Sequence, residues 1–156
     1  MRILLQRTKW ARVQAKSAPE DRAVRIGTGV TGLVGFARED ENLPGSRAWG
    51  IMAAKITNLR IFPDAGDLMN LSLADIQGDL LLVPQFTLYA DCRKGRRPGF
   101  SGSLPGEAAR ELFQAFAEQV QQSWARVYTG FFGREMEVEL CNWGPVTIML
   151  DSRDFE

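Results

Sequence analysis

The chain has 156 residues, 45% hydrophobic and 24% charged, with 19 Lys and Arg balancing 19 Asp and Glu and no histidine. Such a chain buries a core without disulfides or metal, and its zero net charge argues against a globally basic nucleic-acid binder. The missing histidine excludes Ser-His-Asp and Cys-His catalysis and His-based zinc sites within one chain, while Cys92 and Cys141 lack the C-x-x-C spacing of metal or redox motifs.

The opening residues, MRILLQRTKW, hold too short an apolar run for a signal peptide, and no run of about 18 apolar residues suggests a membrane span. A cytoplasmic protein with no membrane partner is expected. Ile3 to Leu5 reads as a first strand, and Ala11 to Ala15, alternating small apolar residues with Arg12 and Gln14, as a half-buried second. Ser17 to Ala23 reads as a turn, and Val24 to Ile26 resumes the sheet. Val30 to Ala37 is a strand punctuated by glycine. Its spacing fits neither a dinucleotide-binding loop nor a Walker loop, so close packing explains the glycines better.

Trp49, Met52, Ala53, Ile56 and Leu59 recur at three- and four-residue steps, the mark of a helix with one buried face. Pro63 to Asp67 is a turn and Leu68 to Gly78 an irregular connector. Asp79 to Ala90 reads as a long strand. Leu104 to Trp124 is the clearest helix, with Ala109, Leu112, Phe113, Phe116 and Val120 in one stripe. Glu135 to Cys141 alternates as a strand with one wet face. Asn142 to Pro145 breaks it, and Val146 to Leu150 is a last strand. With no regular β-α-β alternation, the pattern predicts one α+β domain over residues 1–156. Its sheet is expected to be curved, barrel-like and mostly antiparallel, with two main helices on one side.

Two loops invite chemistry. In Pro84-Gln85-Phe86-Thr87-Leu88, the proline cannot donate to a ladder, which leaves neighbouring N–H groups free beside a hydroxyl and an amide. Free N–H groups can hold a developing oxyanion; the plain alternative is a strand with a Thr on its polar face. In Asn142-Trp143-Gly144-Pro145-Val146-Thr147, the Gly-Pro is either an ordinary turn or a rigid loop presenting two carbonyls to an ammonium group. Arg93, Lys94, Arg96 and Arg97 form the one dense basic run, able to contact several phosphates or simply to sit in solvent.

Read together, the segments KITNLRIFPDAGDLMNLSL, GDLLLVPQFTLYADCRKGRRPGF, GFFGREMEVEL and NWGPVTIMLDS resemble the D-aminoacyl-tRNA deacylase family over nearly the whole chain. Of its two signatures, Asn-x-Gly-Pro-x-Thr is intact at Asn142, Gly144, Pro145 and Thr147, whereas Ser-Gln-x-x-Leu keeps Gln85 and Leu88 but has Pro84 in place of Ser. The resemblance implies hydrolysis of the ester joining a D-amino acid, or glycine, to the tRNA 3′ adenosine. It further implies a homodimer acting on aminoacylated tRNA without metal or cofactor.

By the same resemblance, Gln85, Phe86 and Thr87 are catalytic, and Pro84, Phe132, Met136, Gly144 and Pro145 bind substrate. The resemblance further implies that the Gly144-Pro145 bond is cis, that its loop reaches into the partner's pocket, and that Arg7 braces it. Arg93, Lys94, Arg96 and Arg97 hold tRNA. A family branch that edits L-alanyl-tRNA shares the Pro-Gln motif but has a different Gly-Pro motif with a trans bond. Relaxed editing of L-alanyl-tRNA, or a nucleic-acid-binding module without turnover, are therefore the alternatives. With no base beside it in the motif, Thr87 is expected to orient substrate or water, not to attack.

Overall fold

The computed structural model describes residues 1–16 and 22–156, so the turn expected over Ser17 to Ala23 lies largely outside the described residues. Strand β1 spans Arg2–Ala15 as one element where two were expected. On one edge it pairs antiparallel with β2 (Val24–Ile26) and β3 (Gly29–Gly35). On the other it pairs antiparallel with β8 (Met136–Asp151), again one strand where the sequence suggested two. Both mergers have one cause: the irregular residues near Arg7 and Gly144 face each other and are absorbed as bulges without ending either strand. Ile3 and Leu5 pack with the helices, whereas Ala11 and Val13 pack in a smaller cluster with Ile26, Leu81 and Val83.

The pairings of β1 are antiparallel, as expected, and beyond β3 the sheet continues with parallel strands. Strand β6 (Asp79–Pro84) pairs parallel to β3, and β7 (Val127–Thr129), which the sequence reading missed, pairs parallel to β6. Parallel neighbours need long crossovers, and the two helices supply them. Helix α1 (Arg47–Asn58) lies between β3 and β6, and α2 (Gly106–Gln121) lies between β6 and β7. The result is a mixed sheet that curves into a nearly closed barrel. A two-stranded ribbon, β4 (Phe62–Pro63) with β5 (Met69–Leu71), occupies the expected turn and connector.

The helices form where the apolar spacing placed them. Ser46 caps α1, its Oγ accepting the Trp49 N–H at 3.2 Å. Trp49 and Phe116 meet edge to face with centroids 5.0 Å apart, joining the buried stripes of α1 and α2. Alternate residues of the central strands serve opposite faces: Val30, Val34, Leu80 and Leu82 join the cluster that holds the helices, and Leu81 and Val83, with the partly buried Leu33 against them, join the smaller cluster. Both faces of β6 are thereby buried, and the strand is rigid where it delivers its last residue, Pro84.

Candidate active site

The predicted strand Asp79 to Ala90 stops at Pro84. Proline has no N–H for a further rung, and β7 covers only Leu80 to Leu82. Gln85 still donates its N–H to the Val34 carbonyl (2.7 Å), and residues Phe86–Tyr89 then wind into a single 3₁₀ turn. Gly35 makes room for this exit, since a β-carbon there would fall 2.6 Å from the Gln85 carbonyl oxygen. The first N–H groups of a helical turn have no partner within it. Among the described residues, neither the Phe86 nor the Thr87 N–H donates to a backbone carbonyl elsewhere.

A cavity of about 760 Å³ opens at this end of β6. Pro84, Gln85 and Phe86 form one wall, Ser103 and Pro105 before α2 a second, and Phe132 and Met136 a third. The structure thus brings together five of the predicted site residues. The Phe131 N–H points at the Met136 sulfur at 3.2 Å, folding the Phe132–Met136 turn over the cavity. Phe132 packs against Phe113 and carries the Arg110 guanidinium over its ring, 5.2 Å from the centroid.

Thr87 is exposed and is not a cavity wall. Its Oγ accepts a hydrogen bond from the Gln85 amide at 2.5 Å. No carboxylate or amine is bonded to that hydroxyl among the described residues, so nothing there would activate it as a nucleophile.

Gly144 and Pro145 lie elsewhere. Gln6 pairs with Thr147 and Thr8 with Asn142, so a single residue of β1, Arg7, faces Trp143, Gly144, Pro145 and Val146. These four project as a bulge, with Gly144 and Pro145 exposed and their peptide bond cis. Arg7 is buried beneath it. Its Nε donates to the Trp143 carbonyl at 2.8 Å, an Nη donates to the Ile61 carbonyl, and the guanidinium stacks 4.6 Å from the Trp143 ring centroid. Burial lowers the pKa of Arg7 from its ordinary value. Asn142 closes the bulge from the side, accepting the Val146 N–H at 3.1 Å and donating to Thr147 Oγ at 2.9 Å.

The bulge shares no wall with the cavity. Arg7, opposite the bulge, sits on the rung of Val30 and Leu80, and Pro84 lies four rungs along and, counted from the bulge on β8, three strands across. At ~3.3 Å per residue and ~4.8 Å per strand, the path through the sheet is roughly 20 Å. The two motifs therefore do not meet within one chain.

The basic run forms a loop whose base is closed by reciprocal bonds between Asp91 and Gly99 (2.7 and 2.8 Å). Arg93 folds back onto Asp91, with Nε 2.8 Å and Nη2 2.7 Å from its carboxylate, and this partner holds the Asp91 carboxyl well below the usual carboxylate range. Lys94, Arg96 and Arg97 are exposed. Phe100, just past the loop, is a cavity wall and meets the Phe86 ring at 5.0 Å, so the loop stands on the cavity rim. Arg38, Ser103 and Arg134 also line the cavity and were missed by sequence reasoning. Arg38 and Ser103 belong to no motif and reach the rim through the fold, whereas Arg134 sits between Phe132 and Met136 in the segment GFFGREMEVEL.

The family model described as D-Tyr-tRNA(Tyr) deacylase matches residues 4–151. The chain belongs to that family. A D-aminoacyl-tRNA deacylase of Nitratidesulfovibrio vulgaris is 46% identical over 156 residues, covering 99% of this chain and 94% of the relative. One from Desulfovibrio desulfuricans is 48% identical, covering 97% and 96%. Among solved structures, c-Myc DNA Unwinding Element Binding Protein superposes with a TM-score of 0.84 at 34% identity, covering 97% of this chain and 98% of that one. The two segments singled out in the sequence are thus the strand-end turn at the cavity and the projecting bulge.

Proposed function

We propose that the protein is an ester hydrolase that releases D-amino acids, and glycine, from the 3′ adenosine of tRNA. Family membership and the D-aminoacyl-tRNA deacylases among its relatives support this reading. The observation that carries it is the division of the two motifs between a cavity and an exposed, braced bulge. A second copy of the chain would let the bulge of one protomer complete the cavity of the other. Among the described residues β8 pairs with β1 alone, which leaves its other edge open, and Val138 and Met149 stand exposed along it. The working form is accordingly a homodimer, and its place is the cytoplasm, where charged tRNA is used.

The chemistry follows from what the cavity offers. The reacting ester sits at the Gln85–Thr87 turn, with the acyl or adenosine group against Phe132 and Met136. Water adds to the ester carbonyl, and the free Phe86 and Thr87 N–H groups stabilise the oxyanion. The carbon–oxygen bond to the ribose then breaks, and the ribose oxygen takes the proton. The 2′-hydroxyl of the terminal ribose assists the water, so the chain supplies no imidazole. Gly144 and Pro145 of the bulge present carbonyls to the substrate ammonium and exclude an L side chain. Lys94, Arg96 and Arg97 on the rim meet acceptor-stem phosphates, while Arg93 shapes the loop through Asp91.

The test is release of amino acid from matched D-aminoacyl-, glycyl- and L-alanyl-tRNA by purified protein in chelator. Release from the first two alone is expected. Added L-alanyl release would show that Pro84 accompanies a relaxed specificity. Binding of nucleic acid with no release from any of the three would favour a binding module in place of the enzyme.

A further inference from the structure

The catalytic turn Phe86–Tyr89 is four residues long, and no side chain caps it. Phe86 is 54% exposed and Thr87 is exposed as well. The residue before Gln85 is Pro84, which brings neither a hydroxyl nor an N–H to hold the turn. Isolated turns of this kind do not keep one geometry unaided, so some group outside the turn must fix it.

Two do. At the far end an Nη of Arg2 donates to the Leu88 carbonyl at 3.0 Å. At the near end Ser103 Oγ donates to the Phe86 carbonyl, also at 3.0 Å. Ser103 is itself well anchored. It is 7% exposed, its N–H donates to the Phe100 carbonyl at 3.0 Å, and it forms a bridge with Ala37. The next residue, Leu104, is buried and donates to the Phe36 carbonyl at 3.0 Å. The hydroxyl is therefore delivered from rigid backbone.

The Phe86 carbonyl and the Thr87 N–H are the two ends of one planar peptide unit and point in opposite directions. Fixing the carbonyl fixes the N–H. We propose that Ser103 is a positioning residue for the hydrolysis: by holding the Phe86 carbonyl it sets the direction of the Thr87 N–H that meets the oxyanion. The inference rests on the proposed deacylase reading. Ser103 does not touch the reacting atoms; it acts through the peptide plane. An oxyanion donor is effective only when aimed at the place where charge develops, and small misplacements at a reacting centre cost large factors in rate.

The experiment compares wild type, Ser103→Ala, Ser103→Thr and the control Ser101→Ala on a D-aminoacyl-tRNA, with amide hydrogen exchange of the same proteins. Ser103→Ala is expected to lower kcat about tenfold with KM within about twofold. Exchange at Leu88 and Ala90, whose N–H groups donate to the Gln85 and Thr87 carbonyls, is expected to quicken at an unchanged melting temperature. Ser103→Thr keeps the hydroxyl and is expected to recover most of the rate, and Ser101→Ala to match wild type. Wild-type kcat and wild-type exchange in Ser103→Ala would overturn the inference. So would a loss shared equally by KM, kcat and global stability, which marks a merely structural residue. Absence of wild-type hydrolysis would sink the deacylase reading itself, and with it the catalytic role; unchanged exchange in Ser103→Ala would then also remove the clamp.

Discussion

The guanidinium of Arg7 occupies the space that a β-carbon on Gly144 would need: a Cβ built there falls 2.7 Å from Arg7 Nη2 and 2.9 Å from Val146 Cγ2. Gly144 also has a φ of +130°, a conformation L side chains rarely adopt. Gly144→Ala therefore meets a steric conflict and an unfavourable backbone at once. Hydrolysis of D-aminoacyl-tRNA is expected to fall at least tenfold, and stability by about 1–3 kcal/mol. Steady-state rates on D and L substrates beside thermal melts check this. A wild-type rate with wild-type D-over-L preference would remove the bulge from the mechanism.

The same relationship makes Arg7 a brace for the bulge. Its fork satisfies the Trp143 and Ile61 carbonyls together while it stacks on Trp143. Lysine keeps the charge but cannot reproduce two directed bonds and the stacking. Arg7→Lys is expected to cost about 1–2 kcal/mol, and Arg7→Met, which leaves both carbonyls without their donor, about 2–4 kcal/mol. Urea midpoints at constant slope measure both. An Arg7→Met protein as stable as wild type would show that the bulge needs no brace.

Much of this was legible in the sequence, and the exceptions share a cause. The helix stripes from Trp49 to Ile56 and from Ala109 to Val120 follow from spacing alone, because burial on one helix face leaves a period. The site residues Gln85, Phe132, Met136, Gly144 and Pro145 came from the resemblance to the D-aminoacyl-tRNA deacylase family and not from any local period. The parallel pairing of β6 was missed because its partners are far off in sequence and each crossover is a helix that sequence reading treated separately. Strands β1 and β8 were each split in two because Arg7 and Gly144 interrupt the local pattern, and only their mutual pairing shows that the strands continue. Ser103 and Arg2 carry no local signal; each acquires its role by a contact made across the fold.

Thr87 is expected to prove dispensable for bond cleavage. Its hydroxyl is taken by the Gln85 amide and has no base beside it. On the proposed mechanism its useful group is the backbone N–H, which alanine retains. Thr87→Ala should keep its rate within about tenfold, the loss coming from a freer Gln85 side chain. Single-turnover release distinguishes the cases: complete loss with intact binding would restore Thr87 as nucleophile.

The rim loop makes a separable contribution. Lys94, Arg96 and Arg97 are exposed, whereas Arg93 is committed to Asp91. Neutralising Arg96 and Arg97 should weaken tRNA binding and reduce its salt slope by roughly 1–2, leaving the bound-state rate nearly unchanged. Neutralising Arg93 should instead disturb the loop through Asp91. Equal salt slopes in wild type and the Arg96, Arg97 double variant would take the loop out of the interface.

The pH dependence of stability has an identifiable source at Asp151. Its carboxylate accepts from Arg153 Nε at 3.0 Å and from Arg2 Nε at 3.0 Å, and the Arg153 bonds first, with Arg2 adding, hold its pKa well below the ordinary range against the opposing effect of burial. A carboxyl depressed in the folded state contributes fully above its unfolded pKa of about 3.9, and the contribution is lost as pH falls through the lower folded value. Arg153 is 52% exposed, so solvent screening holds the contribution to about 1 kcal/mol at neutral pH. Asp151→Asn should therefore melt lower than wild type from pH 5 to pH 8 by a constant amount, and the two curves should converge only below about pH 4. Because Arg2 also holds the Leu88 carbonyl, the variant tests whether the carboxylate or the turn keeps that guanidinium in place. A wild-type rate at pH 7 assigns the hold to the turn, and a lowered kcat assigns it to Asp151.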